Sequence, residues 1–234
     1  MKTAIGLMSG TSMDGIDIAL LRTDGESVIE FGPTQSVSFE SSVRFTIEQA
    51  LEDARHINER TDRSGTLKDV ETLITELHAR AVKQFLDASE ISAMDVDLLG
   101  FHGQTVVHRP DEGLTVQLGN GAALAKMTGI DVIYDFRYND MQHGGQGAPL
   151  VPVFHKALGA LSGTEGNLVF VNIGGISNIT FMNGSSEPIA FDSGPGNALI
   201  DMWVQDEAGI PFDQGGHIAS EGGVNEVVLK RYLN

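Results

Sequence analysis

Cysteine is absent from the 234 residues, which excludes disulfides, thiolate metal sites and thiol nucleophiles together. Basic residues are scarce: 15 Lys and Arg stand against 32 Asp and Glu, a formal charge of −17. That balance opposes the electrostatic attraction behind most nucleic-acid affinity, and an anionic membrane surface would repel it as well. Neither nucleic acid nor membrane is expected as a partner. Long apolar runs are missing too; the longest, such as residues 150–153 and 168–171, reach four residues, against the roughly 20 that span a bilayer. The opening MKTAIGLM has no basic segment followed by a long apolar run, so no secretory leader is read there and a cytoplasmic location is expected. Aromatic residues are few, and the one tryptophan, Trp203, lies on an expected helix with the core as its expected place.

Glycine is what the chain has in excess, 28 of 234 residues, well above an average near 7%. The glycines cluster beside short apolar runs, a pattern suited to tight turns approached by a ligand or by other backbone. Residues 3–8 read as a strand, 9–15 as the turn SGTSMDG and 16–21 as a second strand. That loop is longer and richer in Gly, Ser and Thr than a hairpin turn requires. Residues 27–31 and 35–39 extend the meander by one or two strands. From residue 41 the period becomes helical, with Val43, Ile47, Ala50, Leu51 and Ala54 in register. After a polar break at 58–65 a second helix runs from 66 to about 89, with the stripe Val70, Leu73, Leu77, Ala81 and Phe85, and with Thr66 and Asp69 as a capping box. Strands are expected at 96–101, 114–118 and 131–134, and helices over 121–128 and 149–161, the latter holding Pro149 and Pro152 in its first turn.

A second strand, Gly-rich turn, strand unit spans 168–182 and echoes the first, which suggests a duplicated α/β domain. A short strand at 188–191, a loop at 192–197, a helix at 198–208, a loop with five glycines at 209–223 and a helix starting at 225 complete the pattern. The expected fold class is α/β, with a first domain over 1–160 and the start of a second over 161–234.

Several residues point to chemistry. The loop Gly10, Thr11, Ser12, Met13, Asp14, Gly15, Ile16 and Asp17 offers backbone N–H and hydroxyl donors to an oxyanion, and Asp14 is placed to hold Mg²⁺ directly or through water. It is no Walker loop, because the Gly-Lys-Ser/Thr ending is missing; a plain surface hairpin is the alternative. The turn at Gly174 and Gly175 offers the same donors, and two such loops facing each other would clamp a polyphosphate. Asp192 stands at the expected carboxyl end of a strand, a favoured place for a catalytic base, with a helix cap or an Asx turn as the other reading. Arg137, at another strand end, suits a substrate carboxylate or a surface ion pair. His102, Gln104 and Thr105 follow a third strand, where His102 and Gln104 suit a polyol or, for His102, a bond to backbone. The remaining histidines show no metal-ligand spacing.

Seven motifs in order, MSGTSMDGID at 8–17, FHGQT at 101–105, VQLGNGA at 116–122, DFR at 135–137, GGQGAPLVP at 144–152, NIGGISN at 172–178 and FDSGPGN at 191–197, resemble the anhydro-N-acetylmuramic acid kinases. The resemblance implies the two-domain α/β architecture of sugar kinases, heat-shock ATPases and actin around an ATP cleft. It implies phosphorylation of 1,6-anhydro-N-acetylmuramic acid at O6 from ATP, coupled to hydrolytic opening of the anhydro ring in cell-wall recycling. Residues 10–17 carry over as the ATP phosphate loop, and Asp192 as the base that activates water at the anomeric carbon. Members of that family continue well past Asn234 with an adenosine-binding segment and closing helices. A truncated fragment that binds sugar without turnover, or that pairs into a homodimer through uncovered apolar surface, is therefore one alternative, and a simple ATPase of the same superfamily another. Arg137 separates them in part, since an ATPase has no need of a ligand for an acidic sugar.

Overall fold

Alternation of apolar and polar residues governs the first strands. In β1 (Lys2–Ser9) the inward row is Ile5, Leu7 and Ser9, and in β2 (Gly15–Thr23) it is Ile16, Ile18 and Leu20. The computed structural model describes residues 1–234 apart from Thr11, Ser12, Glu165, Ser185 and Asn234. β1 and β2 pair as an antiparallel hairpin, and β2 pairs antiparallel with one long strand β3 (Ile29–Ser38), which joins most of the two short stretches read from the sequence into one. Helices α1 (Ser41–Ala54) and α2 (Leu67–Ser89) follow. They cover the inward row with Ile47, Ala50, Val70, Ile74 and Phe85, all buried.

Two details of α2 differ from the sequence reading. The buried line runs through Val70, Ile74, His78, Ala81 and Phe85, while Leu73 and Leu77 are only half-buried. A histidine stands where the apolar pattern favoured a leucine. Thr66 also makes no capping box: it is the Asp53 carboxylate that accepts from the Thr66 N–H at 2.7 Å and from its hydroxyl at 2.8 Å. The helix start is tied to the end of α1 instead of capping itself.

β4 (Leu98–Arg109) lies parallel to β1 and is followed by β5 (Leu114–Leu118), α3 (Gly121–Thr128), β6 (Val132–Tyr134), α4 (Phe136–Gln142) and α5 (Pro152–Ser162). Pro149 precedes α5, so only Pro152 belongs to its first turn. The sheet runs β3-β2-β1-β4-β5, with β6 also on β4. One edge of β4 is thus shared: β6 takes Leu99, Gly100 and Phe101, and β5 takes residues from Gln104 to Arg109. His102 and Gly103 fall at the change of partner. They also form a bulge toward β1, whose pairing steps from Leu7 with Phe101 to Ser9 with Gln104. His102, Gln104 and Thr105 therefore lie within a twelve-residue strand and not beyond its end. The bulge breaks the two-residue period, so the alternation in the sequence ends at Phe101 although the strand continues.

Chain contacts define two units, one of Met1–Leu168 and Met182–Ile189, the other of Val169–Phe181 and Ala190–Asn234. The first holds the elements above. A three-stranded sheet in the order β7 (Asn167–Ile173), β8 (Ile176–Asn183), β9 (Ile189–Pro195) supplies the strands of the second, followed by α6 (Ala198–Ala208), α7 (His217–Glu221) and α8 (Glu226–Leu233). Three strands followed by a helix thus occur twice in the chain. β9 continues through Asp192 to Pro195, because its partner β8 extends that far, a pairing invisible in the local sequence. The Gly-rich stretch 209–223 is not all loop: the Asp213 carboxylate accepts from the N–H groups of Ile218 and Ala219, both at 2.9 Å, and starts α7. Trp203 does not enter a core; it is 71% exposed on α6, a helix whose one buried residue is Val204. Among the described residues no helix is long and apolar enough to cross a membrane.

Candidate active site

In the first unit the bulge in β4 builds a polar cluster. Gly103 adopts φ +70°, a left-handed conformation open to glycine, and a Cβ there would stand 2.6 Å from the Leu118 carbonyl oxygen. This turn directs His102 inward, 7% exposed. Arg137, in the first turn of α4, donates from Nε to His102 Nε2 at 2.8 Å and from Nη1 to the Gly147 carbonyl at 2.7 Å. An arginine can only donate. His102 Nε2 must therefore be unprotonated, and its Nδ1–H donates to the Gly103 carbonyl at 2.6 Å. Burial, and then the Arg137 charge, lower the imidazole pKa to about 4, so the ring is neutral near pH 7. Burial lowers the Arg137 pKa as well, but a guanidinium stays charged in proteins. Arg137 is neither a surface ion pair nor a free bidentate fork: two of its nitrogens are engaged, and Nη2 has no acceptor among the described residues.

The loop between β1 and β2 is fastened from the same strand. Ser9 donates to the Gly103 carbonyl at 3.2 Å, and the fully buried Gln104 donates from Nε2 to the Gly10 carbonyl at 3.2 Å. Gln104 thus supports the loop, and its Oε1 is enclosed without a partner among the described residues. Thr105 accepts from Gln117 Nε2 at 3.3 Å across to β5. Met13 closes the loop with φ +53° and an N–H bonded to the Gly10 carbonyl. The Asp14 carbonyl accepts from Phe39 N–H at 2.9 Å and its side chain is exposed. Gly15 lies so close to the Val37 carbonyl that a Cβ would collide with it. Ile16 is a core residue, and Asp17 accepts from the Ser36 hydroxyl at 2.5 Å. Thr11 and Ser12 lie outside the described residues. No group of three or more His, Asp or Glu suited to a metal ion occurs among the described residues.

Beside His102 opens a cavity of about 310 Å³, lined also by Arg60, Arg63, Glu71, Asn120 and Tyr134, at the lower end of small-molecule site volumes. None of these five was singled out from the sequence. Asn120 sits inside the VQLGNGA motif, and the pair of arginines in a polar break of a base-poor chain was the available signal for the other wall. Arg63 grips Glu71 from Nε and Nη2 at 3.0 and 2.8 Å. Arg60 pairs with Asp135, whose φ of +64° is left-handed.

The second unit carries Gly174, Gly175 and Asp192. The Gly174 N–H is taken up by the Ile176 carbonyl, while the two glycine carbonyls accept from the N–H groups of Gly196, Asn197 and Ala198 at the start of α6. Gly175 N–H is the donor this turn leaves over among the described residues. Asp192 is exposed, and no described side chain or backbone group bonds its carboxylate. The residue at the N-cap position of α6 is Asn197, so the helix-cap reading of Asp192 is overturned.

Among solved structures, a Ppx/GppA phosphatase of Aquifex aeolicus aligns with 87% of this chain and 55% of its own at 11% identity and a TM-score of 0.37, too loose a likeness to argue from. Sequence relatives are far nearer. Proteins named anhydro-N-acetylmuramic acid kinase from Agrobacterium fabrum and Brucella canis are 55% and 52% identical over 235 residues, each matching 100% of this chain and 63% of its own length. The same name belongs to a Rhizobium etli protein, 53% identical, of which 64% is covered. The chain spans less than two thirds of these relatives. The sequence model of the same family matches residues 2–234. With all seven motifs inside that match, the chain belongs to the anhydro-N-acetylmuramic acid kinase family.

Proposed function

We propose that the chain supplies the sugar site, a phosphate loop and the base of a cytoplasmic kinase that converts 1,6-anhydro-N-acetylmuramic acid and ATP to the 6-phosphate of the opened sugar. The observation that carries this reading is Arg137, a half-buried cation bonded to the cavity-lining His102 with Nη2 unengaged. A half-buried guanidinium one hydrogen bond away from a cavity-lining histidine suits the lactyl carboxylate of such a sugar, which nothing in a plain ATPase would require.

In this reading the Asp192 carboxylate takes a proton from water as the water oxygen bonds to the anomeric carbon. The C1–O6 bond breaks, and O6 attacks the γ-phosphorus as ADP leaves. The connection between β1 and β2, the core of the motif at 10–17, offers donors for the phosphates in the first unit, and the Gly-rich turn of the second unit offers the Gly175 N–H. Magnesium ordinarily takes one or two protein carboxylates together with substrate phosphates; Asp14 alone fits that habit, and a bound ion would neutralise charge on the phosphoryl group. Pairing of two copies through exposed apolar residues of the second unit, such as Val171, Ile173 and Phe191, belongs to the same proposal.

The test is ADP release with and without the anhydro-sugar. Sugar-dependent release is expected. Release indifferent to sugar would make the protein an ATPase, and sugar binding with no release would restrict this chain to a binding fragment.

A further inference from the structure

We propose that Arg60 is the positioning residue for Arg137, holding α4 from the connection between α1 and α2. The inference rests on the reading of Arg137 as the ligand for the sugar carboxylate. One guanidinium makes two contacts with α4. Arg60 Nη2 pairs with the Asp135 carboxylate, and the Arg60 Cζ lies 4.0 Å from the centre of the Tyr138 ring. Residues 135 and 138 are three apart and so share one face of the helix start. They bracket Arg137, which points off that face to His102.

The far end of α4 is fastened independently. Asp140 accepts from Gly147 N–H at 2.8 Å, and the Gly147 carbonyl receives Arg137 Nη1. The near end has no such loop; it begins at Asp135 in a left-handed conformation with no capping bond from its own side chain. Aspartate is one of the few non-glycine residues that enter that conformation readily, and here its carboxylate is held by Arg60. Arg60 is itself anchored, since Arg63 donates from Nη1 to the Arg60 carbonyl at 2.9 Å while gripping Glu71 of α2. The line runs from α2 through Arg63 and Arg60 to Asp135 and Tyr138, and from there to Arg137. Arg60 Nε is enclosed without a described acceptor.

Arg60→Lys tests this sharply. An ammonium retains a charge for Asp135, loses the flat stack on Tyr138 and removes the enclosed Nε, so the variant should stay folded. Three measurements on the chain read the outcome. The Arg137 Nε–H signal in nitrogen-15 NMR, identified by its loss in Arg137→Lys, should be protected in the unaltered chain and exchange faster in Arg60→Lys and Arg60→Met. Calorimetry should show the anhydro-sugar binding roughly tenfold more weakly in Arg60→Met. In an Arg137→Met background the same Arg60→Met change should alter affinity by less than about twofold, because the residue it positions is gone.

An unchanged Arg137 Nε–H signal in both Arg60 variants would overturn the proposal. So would losses that add fully in the double variant, which would make Arg60 a direct sugar ligand. The NMR readout needs no sugar, so an unaltered chain that binds none would refute the proposed function while the spectrum still decides the role of Arg60.

Discussion

Asp192 concentrates the question of catalysis into one carboxylate. It lies on a strand, exposed, bonded to no described group, and five residues ahead of Asn197, the N-cap position of the helix it was a candidate to cap. Nothing local explains an acid there, whereas a proton acceptor for water must keep its lone pairs open. Asp192→Asn keeps the shape and removes the basicity. Where the protein turns over, the rate should fall by roughly 10² to 10⁴, with both ligands still bound in calorimetry. A rate within a few-fold of the unaltered protein would return Asp192 to the surface. Arg137 was legible as a candidate from its motif; that His102 and Gly147 hold two of its nitrogens was not, because both partners come from other segments of the chain.

At the scale of elements, β4 decides where the site forms. Two strands divide one of its edges, and the bulge at His102 and Gly103 sits in the gap between them. Gly103→Ala brings a Cβ against the Leu118 carbonyl at a positive φ. The expected cost is roughly 1–3 kcal/mol, read from urea unfolding, with weaker sugar binding as His102 shifts. A change below about 0.5 kcal/mol would mean that the bulge tolerates side chains and that the glycine has no conformational role. The sequence showed the strand up to Phe101 and the helix starts to within a few residues. It hid the bulge, since an extra residue shifts every later side chain to the other face and the alternation reads as an ending.

For the molecule as a whole, two buried neutral histidines link stability to pH. His78 has 0% exposure, donates from Nδ1 to the Ile74 carbonyl, packs edge-on against Phe101 and has a pKa lowered to about 4, chiefly by burial. His102 is lowered to about 4 as well. Unfolded histidine binds its proton near pH 6.5. Between 6.5 and 4 the unfolded chain therefore holds more protons than the folded one, and stability falls as pH falls. Each histidine contributes at most about 1.4 kcal/mol per pH unit in that window. Asp24, held at about 2 by backbone N–H donors, titrates below it. Urea midpoints across pH 7 to 4 should decline, and His78→Phe should flatten the slope. An equal slope in that variant would remove His78 from the account.

By itself the sequence determined the class of fold, the order of its elements apart from the short helices α4 and α7, and the family, because period, glycine punctuation and motif order are all local properties of the chain. Two strand, Gly-turn, strand units were readable at 3–21 and 168–182 for the same reason. Tertiary structure decided everything that depends on pairing between distant segments. It set β4 running to Arg109 and β9 to Pro195, bonded Gln104 to the Gly10 carbonyl, and left Trp203 exposed. It also brought Arg60 and Arg63 from a polar break to the wall of a cavity. A hydrogen bond between residues 35 or 75 apart, as for Arg137 with His102 or Arg60 with Asp135, leaves no periodic trace, so only the folded chain could disclose it.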